Sequence, residues 1–206
     1  GQDLFGDFVR DTAARAGVNV TGVVARGDAA TTLSIVCVSS EGERSFLYQP
    51  GSAAAFVRTD IPAGTLAAGD IVFVAGAMLL SSFDGEPCAA LMKEQRAAGK
   101  YTVMDTAWDF DDVWLPKIEA VLPHLDLFMP SREEAERLTG ETDPDRIADR
   151  LFALGARSVV IKLGRDGALL CPADGARVTL PTYRSIRPVD TTGAGDSFCA
   201  GFLAGL

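Results

Sequence analysis

The sequence predicts an α/β fold in which helices cover both faces of a mainly parallel sheet. From residue 71 onward, short apolar runs alternate with helical segments, and this alternation is typical of strands joined by crossover helices. The run at residues 71–75 (IVFVA) is rich in β-branched and aromatic side chains, as expected of a strand buried on both faces. The 206 residues, 48% of them hydrophobic, can bury one core, so we expect residues 1–206 to form a single domain.

The segments before residue 71 predict one helix and a small hairpin. Apolar residues recur on one helical face between residues 4 and 16, and Gly17 follows as a C-terminal cap. That face consists of Leu4, Phe8, Val9 and Ala13. Extended segments are expected at residues 21–25, 32–38 and 44–49. The last two form a hairpin around residues 32–49.

The later elements are predicted from periodicity and from the glycines that end helices. Strands are expected at residues 71–75, 102–105, 125–129 and 158–162, helices at 86–98, 113–122, 131–139 and 145–154, and a hairpin at 168–171 and 176–180. Ligands of open α/β sheets bind beyond the carboxyl ends of the strands. We therefore expect Gly76, Asp105, Ser131, Gly164 and the turn at residues 190–196 to border one cleft.

The composition limits the classes of partner. The formal net charge is −9 and no segment concentrates Lys and Arg. A nucleic-acid partner is therefore not expected, because such binding depends on phosphate neutralisation. The longest apolar run, residues 71–80, is too short to span a bilayer, which favours a soluble, cytoplasmic protein. The four cysteines lie far apart in apolar segments, which predicts buried free thiols; they are Cys37, Cys88, Cys171 and Cys199.

The run Asp190-Thr191-Thr192-Gly193-Ala194-Gly195-Asp196 is the most specific feature of the sequence. It follows an extended stretch and precedes residues 197–205, which are predicted to continue as a helix. A turn of small residues at a helix N-terminus directs backbone N–H groups at one point and so forms an anion hole. An aspartate in such a hole is a candidate base for a hydroxyl that attacks a bound phosphate. The alternative is a glycine turn with a capping aspartate.

This run matches the second signature of the ribokinase-like (PfkB) family of sugar and nucleoside kinases, which the chain resembles over essentially its whole length. Further resemblances lie in residues 3–6 (DLFG), 42–44 (GER) with 51–53 (GSA), 126–140 and 162–168 (KLGRDGA). The resemblance implies a ribokinase-like three-layer sandwich, with the hairpin around residues 32–49 as a small β lid. It also implies a kinase that uses ATP and Mg²⁺ and acts on a small-molecule sugar.

The resemblance assigns the chemistry to the signature run. Asp196 would be the base that takes the proton from the acceptor hydroxyl. The backbone N–H groups of Gly193, Ala194 and Gly195 would hold the transferring phosphoryl group. This assignment agrees with the chemistry, because phosphoryl transfer needs positioning and charge stabilisation and small residues let the backbone approach the phosphate.

The resemblance also implies sites for metal ions. Glu134 matches a glutamate that orders Mg²⁺ near the phosphates in the family. The alternative is a solvated acid on an exposed helix face, and Glu134 also fits a capping box with Ser131, which replaces the family's asparagine. Asp190 and the carbonyl group of Thr192 match positions that bind a monovalent cation such as K⁺ in many family members. The alternative for Asp190 is a carboxylate that stabilises the turn.

The nucleotide and the acceptor are expected at neighbouring strand ends. Lys162, Gly164 and Gly167, together with Thr192, are expected to bind the nucleotide; the alternative for Lys162 is a solvated charge. Asp105 and Gly51 are expected on the acceptor side. Relatives often carry an arginine shortly after the position of Asp105, but this chain has Asp109 there, which disfavours an acidic or phosphorylated acceptor. The resemblance therefore implies a neutral sugar or polyol.

The chain begins after the family's first signature and stops soon after Asp196, so a first strand, part of the lid and the segment that closes the adenine pocket are expected to be missing. We expect the 206 residues alone to aggregate or to lack activity, because a sheet without its first strand exposes its edge. Two alternatives to a sugar kinase remain: a non-catalytic relative that binds sugar or nucleotide, and a nucleoside or vitamin-precursor kinase. A homodimer through the lid is also expected.

Overall fold

The computed structural model describes residues 1–40, 44–183, 185 and 190–206. Its centre is a sheet of six strands that lie side by side in chain order. The strands are β3 (Ile71–Ala77), β4 (Tyr101–Thr106), β5 (Leu127–Phe128), β6 (Val159–Lys162), β7 (Ala168–Cys171) and β8 (Val178–Leu180). Strands β3 to β6 are parallel, whereas β7 and β8 are antiparallel to their neighbours. The predicted α/β class and the hairpin that ends the sheet are confirmed.

Helices cover both faces of the sheet, so the fold has three layers. The main helices are α4 (Glu86–Ala97), α5 (Arg132–Thr139), α6 (Pro144–Ala153) and α7 (Ala194–Ala204). Buried residues of α4, α5 and α6 share one core with Met104 and Phe128 of the sheet. The adjacent strand residues Val103 and Leu127 point to the opposite face and pack with Cys199 of α7. This alternation follows from the two-residue period of a strand.

The helix boundaries follow the capping residues in the sequence. The side chain of Ser131 accepts a hydrogen bond from the Glu134 N–H at the start of α5, and Asp143 caps α6 in the same way. Gly140 ends α5 in the left-handed conformation, with φ = 76°. These side chains satisfy N–H groups that have no partner inside a helix.

The lid is a separate two-stranded antiparallel sheet. It consists of β1 (Leu33–Val38) and β2 (Arg44–Gln49), paired from Leu33 opposite Gln49 onward. The predicted hairpin is therefore confirmed, although two residues of the GER motif, Gly42 and Glu43, lie outside the described residues. Helix α1 (Leu4–Arg15) precedes the lid, and the short helices α2 (Gly51–Ala54) and α3 (Ala63–Ala67) link the lid to β3.

Two predicted elements do not form. Residues 113–122, predicted as a helix, contain only a 3₁₀ turn at Leu115–Lys117, and a second such turn follows at Leu122–His124. Pro116 and Pro123 lie in these turns and cannot donate the hydrogen bonds of an α-helix. Residues 21–25, predicted as extended, contain no strand, because no described strand pairs with them.

In the N-terminal third the predicted helix forms with its apolar face exposed, and the burial predicted for Cys37 is wrong. No residue of α1 is buried, and Leu4 and Phe8 on its predicted apolar face are 85% and 64% exposed. Asp3 links this helix to Thr31, just before the lid, rather than to the sheet. Cys37 is exposed because the lid has only two strands, whereas the other three cysteines are buried as predicted. In the described part of the chain, no helix is long and apolar enough to cross a membrane.

Candidate active site

The signature run forms the predicted turn at the start of α7. Gly193 has φ = 76°, a left-handed conformation that favours glycine, and α7 begins at Ala194. Gly195 and the exposed Asp196 lie in the first helical turn, where N–H groups lack partners inside the helix. The N–H of Ala194 donates to the carbonyl oxygen of Thr191 at 3.1 Å, so in this conformation it serves the turn rather than an anion.

Asp190 stabilises the same turn. Its Oδ1 accepts hydrogen bonds from the backbone N–H of Thr192 at 2.9 Å and from the Thr192 hydroxyl at 2.8 Å. These contacts support the turn-stabilising alternative for Asp190. The monovalent-cation site at Asp190 and Thr192 stays a prediction.

A pocket of about 330 Å³ joins the start of α7 to the loop between β6 and β7. Its walls include Lys162, Gly164, Gly167, Ala194, Gly195, Phe198 and residues 180–183. The predicted nucleotide residues Lys162, Gly164 and Gly167 therefore meet the predicted phosphate-binding turn. The elements that converge here are separated by about thirty residues of chain, and the sheet brings them together as the strand-end rule expects.

Two glycines shape the loop between β6 and β7. Gly164 has φ = 57° and Gly167 has φ = 98°. A Cβ atom at Gly167 would overlap the carbonyl oxygen of Leu180, whereas one at Gly164 would meet nothing within 4 Å. Gly167 is therefore required by both its backbone angle and the close approach of β8, and this packing forms one wall of the pocket.

Lys162 is not the solvated charge that was one reading of the sequence. Its side chain is 14% exposed, and Nζ lies 2.6 Å from Oδ1 of Asp105. Asp105 is itself buried, and its Oδ2 accepts from the thiol of Cys199 at a distance of 3.4 Å. Burial, together with the charge of Asp105, raises the pKa of the Cys199 thiol to about 12, so this thiol is protonated at neutral pH.

Glu134 is half-buried and faces the strand ends rather than solvent. Its Oε2 accepts from the Ser131 N–H at 2.8 Å and from the Thr106 hydroxyl at 2.9 Å. The capping box with Ser131 is present. Burial raises the pKa of Glu134, and the two hydrogen bonds and the charge of Lys162 lower it. The exposed-face alternative is wrong for Glu134, although the neighbouring Glu133 is exposed.

Gly51, which is expected on the acceptor side, and Asp109, which stands where relatives often carry an arginine, have clear structural roles. Gly51 has φ = 47°, and a Cβ atom there would overlap the carbonyl oxygen of Ala30. Asp109 is 2% exposed. It accepts from Lys117 Nζ at 2.5 Å and from the N–H groups of Val113 and Trp114. An acceptor role for Gly51 or Asp105 stays a prediction.

Sequence reasoning missed Thr106 and Cys199 as part of this site. Both are neighbours of residues that it did name: Thr106 follows Asp105, and Cys199 lies one helical turn after Gly195 and Asp196. The i, i+4 spacing on α7 was the available signal. Among the described residues, no group of three or more His, Cys, Asp or Glu side chains could hold a metal ion. Bound Mg²⁺ generally needs only one or two carboxylates together with substrate phosphates, so Glu134 fits that kind of site.

Comparison with known proteins identifies the class to which this fold and site belong. The model of the pfkB family of carbohydrate kinases matches residues 1–206, and the chain belongs to this family. It is 30% identical to a 2-dehydro-3-deoxygluconokinase of Bacillus subtilis over 215 residues, covering 100% of this chain and 66% of the relative. The chain therefore spans about two thirds of that relative's length.

Solved structures have the same fold. An adenosine kinase of Anopheles gambiae aligns with a TM-score of 0.85 and 27% identity, over 99% of this chain and 64% of that one. A protein described as a ribokinase II of Escherichia coli, solved in complex with ATP and Mg²⁺, aligns with a TM-score of 0.79 and 24% identity, over 96% of this chain and 65% of its own. These alignments confirm the ribokinase-like three-layer sandwich.

Proposed function

We propose that this chain acts as an ATP-dependent phosphotransferase that phosphorylates an alcohol group of a small sugar or polyol. The observation that carries the proposal is the pocket in which Lys162 and Gly167 face the first turn of α7. A glycine-lined loop, a partly buried ammonium group and a helix N-terminus together form a surface suited to nucleotide phosphates. Asp196 follows Gly195 in the same first turn of α7.

Each residue of the site would have its own role in the proposed reaction. The first turn of α7 holds the transferring phosphoryl group through backbone N–H groups, and the dipole of α7 favours the negative charge. Asp196 accepts the proton of the acceptor hydroxyl as that oxygen bonds to the γ-phosphorus of ATP, while the bond from this phosphorus to the bridging oxygen breaks and ADP leaves. Lys162 contributes positive charge beside the same turn. When bound, Mg²⁺ would neutralise charge on the phosphates, and Glu134 is the residue that would hold it. We also propose that a monovalent cation binds at Asp190 and Thr192.

The residue at position 109 bears on the class of acceptor. The position where relatives often carry an arginine holds Asp109, whose carboxylate is occupied by Lys117 and backbone N–H groups. Asp109 therefore provides no positive charge that could bind an acidic acceptor. This supports a neutral sugar or polyol as the acceptor. The likeness to an adenosine kinase supports a nucleoside as the second candidate.

The proposal is tested by assaying the full-length protein with MgATP and a panel of neutral sugars, polyols, sugar acids and nucleosides. We expect ADP release that depends on one neutral acceptor, and a phosphorylated product of matching mass. Binding of ATP and of an acceptor without turnover would instead identify a non-catalytic relative. Turnover with nucleosides alone would replace the sugar assignment with the second candidate.

Replacing Thr106 by Val tests the role of Glu134 through pH. The Thr106 hydrogen bond lowers the pKa of Glu134 and so opposes the effect of burial. Without this bond the pKa rises further, the carboxylate is protonated at a higher pH, and the acid limb of the Mg²⁺-dependent activity moves toward higher pH. We also expect Mg²⁺ affinity to fall roughly tenfold, as is usual when a group that orients a metal ligand is removed.

Thr102→Val is the matched control for this pH profile. Thr102 lies on the same strand, but its hydroxyl donates to the carbonyl oxygen of His124. The control is expected to lose stability while its acid limb stays in place. An unchanged acid limb in Thr106→Val would contradict the metal role proposed for Glu134.

We also propose that two copies associate through the lid. Each face of the hairpin exposes large apolar side chains, including Ile35 opposite Leu47 on one face and Phe46 on the other. Exposed apolar surface of this kind is typical of an interaction site.

Leu47→Asp is expected to convert a dimer to a monomer in sedimentation velocity. The control is Val178→Asp, at an exposed apolar position on β8, which is expected to stay dimeric. A wild-type protein that sediments as a monomer at micromolar concentration would refute the dimer.

A further inference from the structure

A partly buried ion pair connects two strands that are not neighbours in the sheet. Lys162 ends β6 and Asp105 lies near the end of β4, with β5 between them. The Lys162 ammonium nitrogen is 2.6 Å from Oδ1 of Asp105, with side chains 14% and 7% exposed. The lysine side chain therefore extends across the carboxyl end of β5 to reach its partner.

The position of the ammonium group relative to α7 is unusual for a structural ion pair. A Cβ atom at Gly195 would lie 3.5 Å from Lys162 Nζ, so the cation lies against the first turn of α7. A cation at this end of a helix is opposed by the helix dipole. The arrangement becomes favourable when an anion binds to the same turn, and Asp105 supplies the negative charge that holds the lysine there.

Asp105 is poorly placed to contact an acceptor directly. Lys162 occupies Oδ1, and the thiol of Cys199 donates to Oδ2. The residue as a whole is 5% exposed. Both oxygens of the carboxylate therefore face groups of the protein, and one of these groups belongs to α7 itself.

A second lysine–aspartate pair in the chain shows what a purely structural pair looks like. Lys117 and Asp109 are 2.5 Å apart, with side chains 15% and 0% exposed. Asp109 also accepts from the backbone N–H groups of Asp111, Val113 and Trp114, and so stabilises its own loop. The hydrogen bonds described for Asp105 come only from the side chains of Lys162 and Cys199, so this carboxylate orients side chains rather than backbone.

We propose that Asp105 is a positioning residue that holds the ammonium group of Lys162 against the first turn of α7, where it binds the nucleotide phosphates, and that Asp105 does not contact the acceptor. This inference rests on the proposed function, because it requires that ATP phosphates bind at this turn. It replaces the acceptor-binding role expected for Asp105. Asp105 of β4, Lys162 of β6 and the first turn of α7 would then act together in binding the phosphates.

The experiment compares binding of MgATP and of adenosine, which has no phosphates, to the full-length protein by calorimetry. We expect Lys162→Met and Asp105→Asn each to weaken MgATP binding about tenfold, since each removes a hydrogen bond involving a charged group, and to leave adenosine binding unchanged. The double variant should bind MgATP no more weakly than Lys162→Met alone. Where an acceptor is found, its KM should be unchanged in Asp105→Asn.

Matched controls separate this role from a loss of stability. Lys117→Met and Asp109→Asn break a pair of the same chemistry whose hydrogen-bond partners do not line the pocket. They are expected to lower the Tm without changing the ratio of MgATP to adenosine affinity. If Asp105→Asn does not fold, Asp105→Glu is tested in its place. The longer side chain keeps the negative charge but displaces the ammonium group of Lys162, so the same selective loss of MgATP affinity is expected.

Three results would overturn the inference. They are unchanged or tighter MgATP binding in the Asp105 variants, additive effects in the double variant, and a raised acceptor KM in Asp105→Asn with MgATP affinity intact. A wild-type protein that does not bind MgATP would refute the proposed function together with the inference. A wild-type protein that binds MgATP, with variants that behave like it, would refute the inference alone.

Discussion

Asp196→Asn is expected to lower kcat by roughly 10²–10⁴-fold, the usual contribution of a positioned base, while the Kd of MgATP changes little. The amide has nearly the shape of the carboxylate but cannot accept the proton of the acceptor hydroxyl. Asp196 lies in the first turn of α7, where its negative charge interacts favourably with the helix dipole. Loss of this charge is expected to lower the free energy of unfolding by at most about 1 kcal/mol. Single-turnover kinetics with a saturating acceptor measure the chemical step.

Asp166→Asn is the matched control for this variant. Asp166 is an exposed carboxylate in the loop between β6 and β7, so its loss changes the net charge near the site without removing the base. The control should keep kcat within a few-fold of the wild-type value. If Asp196→Asn also keeps kcat within tenfold, Asp196 is not the base.

Gly167→Ala is expected to cause the largest loss of stability and of ATP binding among the variants of the nucleotide loop. A side chain at φ = 98° and ψ = −128° costs about 1–3 kcal/mol by itself. The new Cβ atom would also overlap the carbonyl oxygen of Leu180, so β8 must move away from the loop. Because residues 180–183 line the pocket, this movement is expected to weaken MgATP binding as well. Urea unfolding and calorimetry measure the two effects.

Gly164→Ala separates the effect of the close approach from that of the backbone angle. Gly164 lies in the same loop with φ = 57°, and a Cβ atom there meets nothing within 4 Å. We expect a cost of roughly 1–2 kcal/mol, that of a left-handed alanine, and a loss of MgATP affinity smaller than that of Gly167→Ala, because β8 does not have to move. Equal losses in the two variants would mean that the contact between Gly167 and β8 does not shape the pocket.

The sequence predicted elements well where local signals agreed with the tertiary environment. The strands and helices from residue 71 onward combine apolar periodicity with clear caps, such as Ser131 and Gly140, and their positions are confirmed within a few residues. The exception is residues 113–122, which have apolar residues at helical spacing but also contain Pro116. Because Pro116 has no N–H group, a 3₁₀ turn forms there in place of the predicted α-helix.

The N-terminal third was predicted less well because periodicity does not say what lies opposite an apolar face. The spacing of Leu4 and Phe8 is helical, and the helix forms, but both side chains are exposed. Cys37 is exposed for a related reason, since among the described residues no second layer covers the two-stranded lid. Burial depends on the number of packed layers, which a local pattern does not contain.

The sequence by itself determined the α/β class, the turn at Gly193 that begins α7 and the candidate base Asp196, because each depends on residues that are close together in the chain. It also predicted Asp105, Ser131 and Gly164 at one edge of the sheet, because parallel strands present their carboxyl ends there, and the family resemblance added Glu134 and Lys162. Only the tertiary structure decided the partners of these side chains. Asp105 and Lys162 are 57 residues apart, and their pairing across β5 depends on strand order and side-chain direction, which no local pattern specifies.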